Sequence, residues 1–224
     1  MGVKTIWPGP AGALVGLAGA SVVGLAAIVT ALVYRGRDGR PYSPLNHWVS
    51  ELGELGVSDL AAVFNLGLAV AGICFIVFMV ALGWTRRTIL ALLYVPVGAA
   101  TGVAGFFGGV FPLNQLDQHS NAALGFFGLG WIAVGLASLD IYRRPERRFP
   151  RRLAAVGALT VLAFVGFLVV LAPLLNGTGF APLAVRPDAW IVSSLEWAAL
   201  IGIVLWVNFT AASWWRAERA GQPG

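Results

Sequence analysis

The sequence predicts an all-α fold: a six-transmembrane-helix bundle with a short amphipathic helix lying in the interface of its first outer loop. Three observations carry that prediction. Of the 224 residues, 58% are hydrophobic and only 11% are charged, with a mean hydropathy of +0.80. A water-soluble domain uses about 25% charged residues to cover its surface. The apolar residues also fall into six blocks long enough to cross a bilayer, which takes about 20 residues at 1.5 Å rise each. Basic residues punctuate those blocks in short clusters, the pattern that sets membrane topology.

The blocks run over 11–34, 60–84, 88–111, 122–142, 153–175 and 190–215. They form one integral membrane domain, 1–224, with no room for a soluble one. Their length excludes barrel strands, which need only about 10 residues of alternating polarity. The first block resembles a secretory leader, with Ala18-Gly19-Ala20 as a small-residue site. The apolar run continues to Tyr34 and only Lys4 precedes it, so the expectation is a retained first helix. Small residues at Gly16-x-x-x-Ala20-x-x-x-Gly24, Gly98-x-x-x-Gly102 and Gly105-x-x-x-Gly109 invite close helix approach. Pro96 is a candidate kink in the third helix.

Of the 15 Lys and Arg residues, eleven fall at one end: Lys4, Arg86, Arg87, Arg143, Arg144, Arg147, Arg148, Arg151, Arg152, Arg216 and Arg219. Arg35, Arg37, Arg40 and Arg186 fall at the other. The positive-inside rule makes the first end cytoplasmic, with both termini, in a cell inner (plasma) membrane. Trp7, Trp84, Trp214 and Trp215 then mark the inner boundary, and Trp48 and Trp190 the outer one. The net charge of +5 follows from these clusters and forms no basic face for nucleic acid. Cys74 is the single cysteine, so no intrachain disulfide forms.

The titratable residues gather at the outer end. In the first outer loop, Ser43 and Pro44 read as a helix start. Leu45, Trp48, Val49, Leu52 and Leu55 share one face of that helix; His47, Glu51 and Glu54 share the other. The segment either lies in the outer interface or dips as a re-entrant segment with its polar face over the bundle mouth; the alternative is a solvated face with a local His47–Glu51 pair. The second outer loop is short and polar. Its His119 lies just before or inside the first turn of the fourth helix, with Asp117 or Ser120 as a cap. Asn65, Ser194 and Glu196 lie within helices near their outer ends. A carboxylate at Glu196 is costly unless it is paired or faces a wet cavity, so it is a candidate functional group.

Val49-Ser50-Glu51-Leu52-Gly53 with Phe64-Asn65, and Gly109-Val110-Phe111-Pro112 with His119 and Ala122-Ala123-x-x-Phe126-Phe127, resemble the domain-of-unknown-function family 998 of bacterial and archaeal membrane proteins. That family is distantly similar to the Frag/DRAM/Sfk membrane proteins, whose members include factors linked to lipid remodelling. The resemblance implies six helices and marks Ser50, Glu51, Gly53, Asn65, Pro112 and His119. His47 and Asp117 fall outside its motif.

Three functions stay open. A lipid-binding or lipid-remodelling pocket facing the outer leaflet would use Glu51, His119 and Glu196 as its catalytic set, since a histidine–carboxylate pair supplies a general base and its orienter. His47, Ser50, Asn65 and Asp117 would bind the ligand. An accessory or scaffold subunit of a membrane complex would have other membrane protein subunits as partners and no chemistry of its own. A metal site would draw on His47, Glu51, Asp117 and His119. No G-x-S-x-G element is present, no cofactor motif is found, and no histidine lies mid-helix to hold haem.

Overall fold

A computed structural model describes residues 9–37, 39–177, 179–181, 185 and 187–220. Lys4, Trp7 and Arg186, which entered the topology argument, lie outside the described residues. The described residues form six long helices: α1 (Gly9–Val33), α2 (Ala61–Arg86), α3 (Ile89–Val110), α4 (Leu116–Arg143), α5 (Arg152–Leu171) and α6 (Ile191–Ala220). Each is long and apolar enough to cross a membrane. The protein is therefore a multi-pass membrane protein.

The helices differ most from the hydropathy blocks where polar residues extend them. α4 begins six residues early, because Leu116–Asn121 supplies a polar first turn. That turn's N–H groups have no intrahelical acceptor and bond to water or side chains instead, so a polar sequence suits it. α6 runs five residues beyond its apolar block, through the helix-favouring Arg216–Ala220. Hydropathy reads what is buried in lipid, whereas helicity continues past that boundary. α3 runs unbroken past Pro96.

Each helix packs on its neighbours in sequence, and α1 returns against α6, closing a ring. The tightest crossing joins α2 and α3. A Cβ at Gly72 would lie 2.6 Å from the Gly102 carbonyl oxygen, and one at Gly102 would lie 2.7 Å from the Gly72 oxygen. Only hydrogen at both positions lets these backbones touch, as the small-residue spacing on α3 predicts. Phe78, Phe164, Phe167 and Trp206 fill the interior.

Trp48 and Trp214 do not mark membrane boundaries. Both are fully buried in the core. Trp48 packs on Phe167, Phe180 and Trp190, and Trp214 packs on Phe149. Trp84 is 61% exposed.

The first loop also departs from the amphipathic pattern. Ser43 and Pro44 do open a turn: the Ser43 carbonyl accepts from the N–H groups of Asn46 and His47. The helical part is a single 3₁₀ turn, Val49–Gly53, and it has no solvated face. His47, Trp48, Val49, Ser50, Glu51, Leu52, Gly53 and Glu54 are all buried, whereas Leu45 and Leu55 are exposed. A segment dipping into the bundle mouth buries both faces, so the i, i+4 pattern that reads as half-wet is fully packed here.

A candidate polar site beneath the first loop

The segment 42–55 is fastened to both other loops at its end of the bundle. Leu55 donates its N–H to Asn114 Oδ1 at 2.7 Å, and Asn114 Nδ2 donates back to the Leu55 carbonyl at 3.0 Å. Trp190 N–H donates to the Leu45 carbonyl, and Asn46 Nδ2 donates to the Pro187 carbonyl at 2.9 Å. Trp48 Nε1 donates to the Ala181 carbonyl at 3.2 Å. The Arg37 guanidinium pairs with the buried Glu54.

Two buried carboxylates hold the start of the 3₁₀ turn. Glu51 Oε1 accepts from Trp48 N–H at 2.8 Å, and Glu196 Oε2 accepts from Val49 N–H at 2.7 Å. The first N–H groups of any helical turn lack internal acceptors and favour negative charge. This accounts for acidic groups in so apolar a setting. Tyr34 O–H donates to Glu51 Oε2 at 3.4 Å. Tyr42 O–H donates to the Trp48 carbonyl at 2.7 Å, while Trp197 Nε1–H donates to the Tyr42 oxygen at 2.7 Å. Burial pushes the Tyr42 phenol well above its usual 10.0, and the nearby Glu196 and Glu51 carboxylates push it further.

Asn65, one turn into α2, donates Nδ2–H to the Gly53 carbonyl at 2.9 Å. A Cβ at Gly53 would collide with Asn65 Oδ1. Gly53 and Asn65 are thus one structural clamp between the turn and α2.

Ser50, His119 and Glu196 line one cavity of about 80 Å³, with Phe64, Phe126 and Leu200. That volume holds one or two small polar groups. Ser50 Oγ is buried and has no hydrogen-bond partner among the described residues. His119 lies in the first turn of α4, and its Nδ1 is 2.9 Å from the Phe111 carbonyl. A carbonyl only accepts, so Nδ1 carries a proton. A second cavity of about 60 Å³ shares Leu68, Gly105, Phe126 and Leu200 with the first and extends among α1, α2 and α6. On the outside, a groove of about 420 Å³ between α3 and α4 shares Ala104 and Ala122 with the first cavity. Two alanines therefore stand between the bilayer-facing groove and the interior polar group.

The remaining candidates fall elsewhere. His47 packs its ring on Tyr34 and Tyr42, and its Nδ1 is 2.7 Å from Asn46 Oδ1. Asp117 is exposed on the first turn of α4, and α4 is capped at Gln115 without a side-chain bond. Ser194 Oγ donates to the Trp190 carbonyl at 3.2 Å. Among the described residues, no three His, Cys, Asp or Glu side chains gather as a metal ion needs.

Sequence reasoning missed Tyr34, Tyr42 and Trp197, since no spacing or motif ties them to the buried carboxylates. It also missed a buried ion-pair centre at the opposite end. Arg86 Nε is 2.8 Å from Asp140 Oδ2, and its Nη1 is 2.7 Å from Glu146 Oε1. Its Nη2 donates to the Asp140 and Arg144 carbonyls at 3.1 and 2.7 Å. Arg86 and Asp140 are opposite charges at the ends of two spans, and that pairing was the available signal.

The fold and this arrangement define a class: a six-helix membrane protein with a cluster of buried polar residues beneath a plugging loop at one mouth. Residues 22–213 match the family described as "Protein of unknown function (DUF998)", and the chain belongs to that family. No curated protein and no solved structure matches the chain.

Proposed function

We propose that the protein binds a membrane lipid in the α3–α4 groove and receives the lipid's hydroxyl or ester end in the cavity lined by Ser50, His119 and Glu196. The observation that carries this reading is the unpartnered Ser50 Oγ in the same cavity as His119 and Glu196. A buried hydroxyl without a partner costs about 1–3 kcal/mol, and a ligand hydroxyl or carbonyl relieves that cost. The groove supplies the rest of a lipid site. Gln118 and Asn121 stand toward the mouth, and Ala100, Val103 and Phe107 lie further down α3. Positive-inside asymmetry supports an inner (plasma) membrane setting with cytoplasmic termini, which turns the groove to the outer leaflet. In a remodelling reaction, His119 Nε2 is the general base and Glu196 the neighbouring carboxylate; Glu51 positions the 3₁₀ turn that presents Ser50.

The test is mass spectrometry of lipids that co-purify with the full-length protein. Gly108 lines the cavity, and a Cβ added there meets nothing within 4 Å, so the side chain of Gly108→Leu starts in open space and takes up cavity volume. The wild type should retain a lipid class enriched over bulk membrane. G108L and His119→Ala should lose that enrichment while staying monodisperse. Equal retention by all three proteins would overturn the reading.

A further inference from the structure

The second lipid-facing groove of interest lies at the arginine-rich end, away from the site just described. It runs between α5 and α6, has a volume of about 610 Å³, and is lined by Arg147, Arg152, Arg216, Ser213, Val156 and Phe209 among others. All three arginines are exposed. Ion pairs among the described residues occupy Arg37, Arg86 and Arg148 and leave these three free. No carboxylate lines the groove. Arg216 donates Nε–H to the Ala212 carbonyl at 3.2 Å, one turn back on its own helix.

The layering along the groove is that of an amphiphile. Arg152 opens α5 and Arg216 lies in the last turns of α6, so both guanidiniums stand at one level, with Arg147 from the preceding loop. Val156 follows Arg152 by one turn, and Phe209 lies seven residues before Arg216, roughly 10 Å deeper at 1.5 Å per residue. Phe209 is 48% exposed, and Leu159, Leu162 and Leu205, nearer the bundle centre on the same two helices, are also exposed. In a protein that spans the bilayer, three planar forked donors at headgroup level match phosphate oxygens, and the apolar wall below matches an acyl chain. A zwitterionic headgroup carries its own cation and would set it against three uncompensated guanidiniums.

We propose that this α5–α6 groove is a binding site for an anionic phospholipid, its phosphate held by Arg147, Arg152 and Arg216 and an acyl chain laid against Val156 and Phe209. The site is independent of the Ser50–His119–Glu196 cavity.

The test uses the full-length protein in bilayer nanodiscs of phosphatidylcholine doped with phosphatidylglycerol, with bound lipid counted by native mass spectrometry. Wild type should retain phosphatidylglycerol in preference to phosphatidylcholine. R147Q/R152Q/R216Q should lose that preference about tenfold or more, as removing three surface-level charges implies. A charge-matched control, R87Q/R143Q/R219Q, removes three exposed arginines of the same end that do not line the groove and should keep it. Ser213→Trp fills the groove without altering charge and should also release the lipid, which keeps the test decisive if the triple variant does not fold. Absence of a preference in wild type, equal losses in both triple variants, or displacement of the lipid by inorganic phosphate alone would overturn the proposal. Loss of the G108L phenotype would leave it untouched.

Discussion

Replacing Arg86 by Met should be the most damaging single substitution at the arginine-rich end. The Arg86 and Asp140 side chains are 1% and 2% exposed, 2.8 Å apart. At that distance an effective dielectric of 20 gives an attraction of about 6 kcal/mol, of which much offsets the desolvation of both groups. The variant keeps the desolvation of Asp140 and removes its counter-charge. It also leaves the Asp140 and Arg144 carbonyls without the Nη2 donor. Breaking a buried pair in this way costs about 3–5 kcal/mol. Asp140→Asn should cost less, about 1–3 kcal/mol, because Glu146 still faces Arg86 at 2.7 Å. The double variant should be more stable than the sum of the two losses predicts. The assay is reversible unfolding in mixed detergent–SDS micelles, run as a double-mutant cycle. An Arg86→Met loss under about 1 kcal/mol, or strict additivity, would refute the assignment of this pair as the lock between α2 and α4.

Other outcomes follow from the same geometry. Gly102→Val places a branched side chain against the Gly72 backbone and should cost at least about 1–3 kcal/mol by overpacking, seen as a lower midpoint in the same unfolding assay. Asn65→Ala removes the Nδ2 donor to the Gly53 carbonyl and should speed amide hydrogen exchange over 43–58 more than elsewhere. Tyr42 has a folded-state pKa raised above 10.0, so its contribution is fully present below pH 10.0 and falls as pH rises toward the folded value. Thermal unfolding scanned upward through pH 10.0 should show that decline, and Tyr42→Phe should flatten it while lowering stability at neutral pH, through loss of the Trp48 and Trp197 bonds.

Six spans, their order and the small-residue crossing of α2 and α3 were legible, because lipid solvation demands long apolar runs and close backbones demand glycine. Asn65, His119 and Glu196 stood out in the sequence as polar residues at or near span ends, and Ser50 through the family motif. What the pattern left open was the loop. His47, Glu51 and Glu54 sit at helical spacing opposite Leu52, which equally describes a wet face and a plug, and only tertiary contacts from Tyr34, Tyr42, Arg37 and Glu196 decide between them. Asp117 illustrates the same limit. It lies two residues before His119, which at 100° per residue turns it away from the cavity once the turn is helical. The Arg86–Asp140 pair escaped because topology rules count an arginine at a span end as a marker of side, not as a partner.

The claim that a lipid's polar end reaches Ser50, His119 and Glu196 is tested most directly by cross-linking. A diacyl lipid carrying a photoreactive group near its ester linkage, activated in membranes containing the full-length protein, should label peptides of α3 and α4 around Ala104, Gln118 and Ala122, and G108L should abolish that labelling. Labelling spread evenly over all lipid-facing helices, or unchanged by G108L, would contradict it.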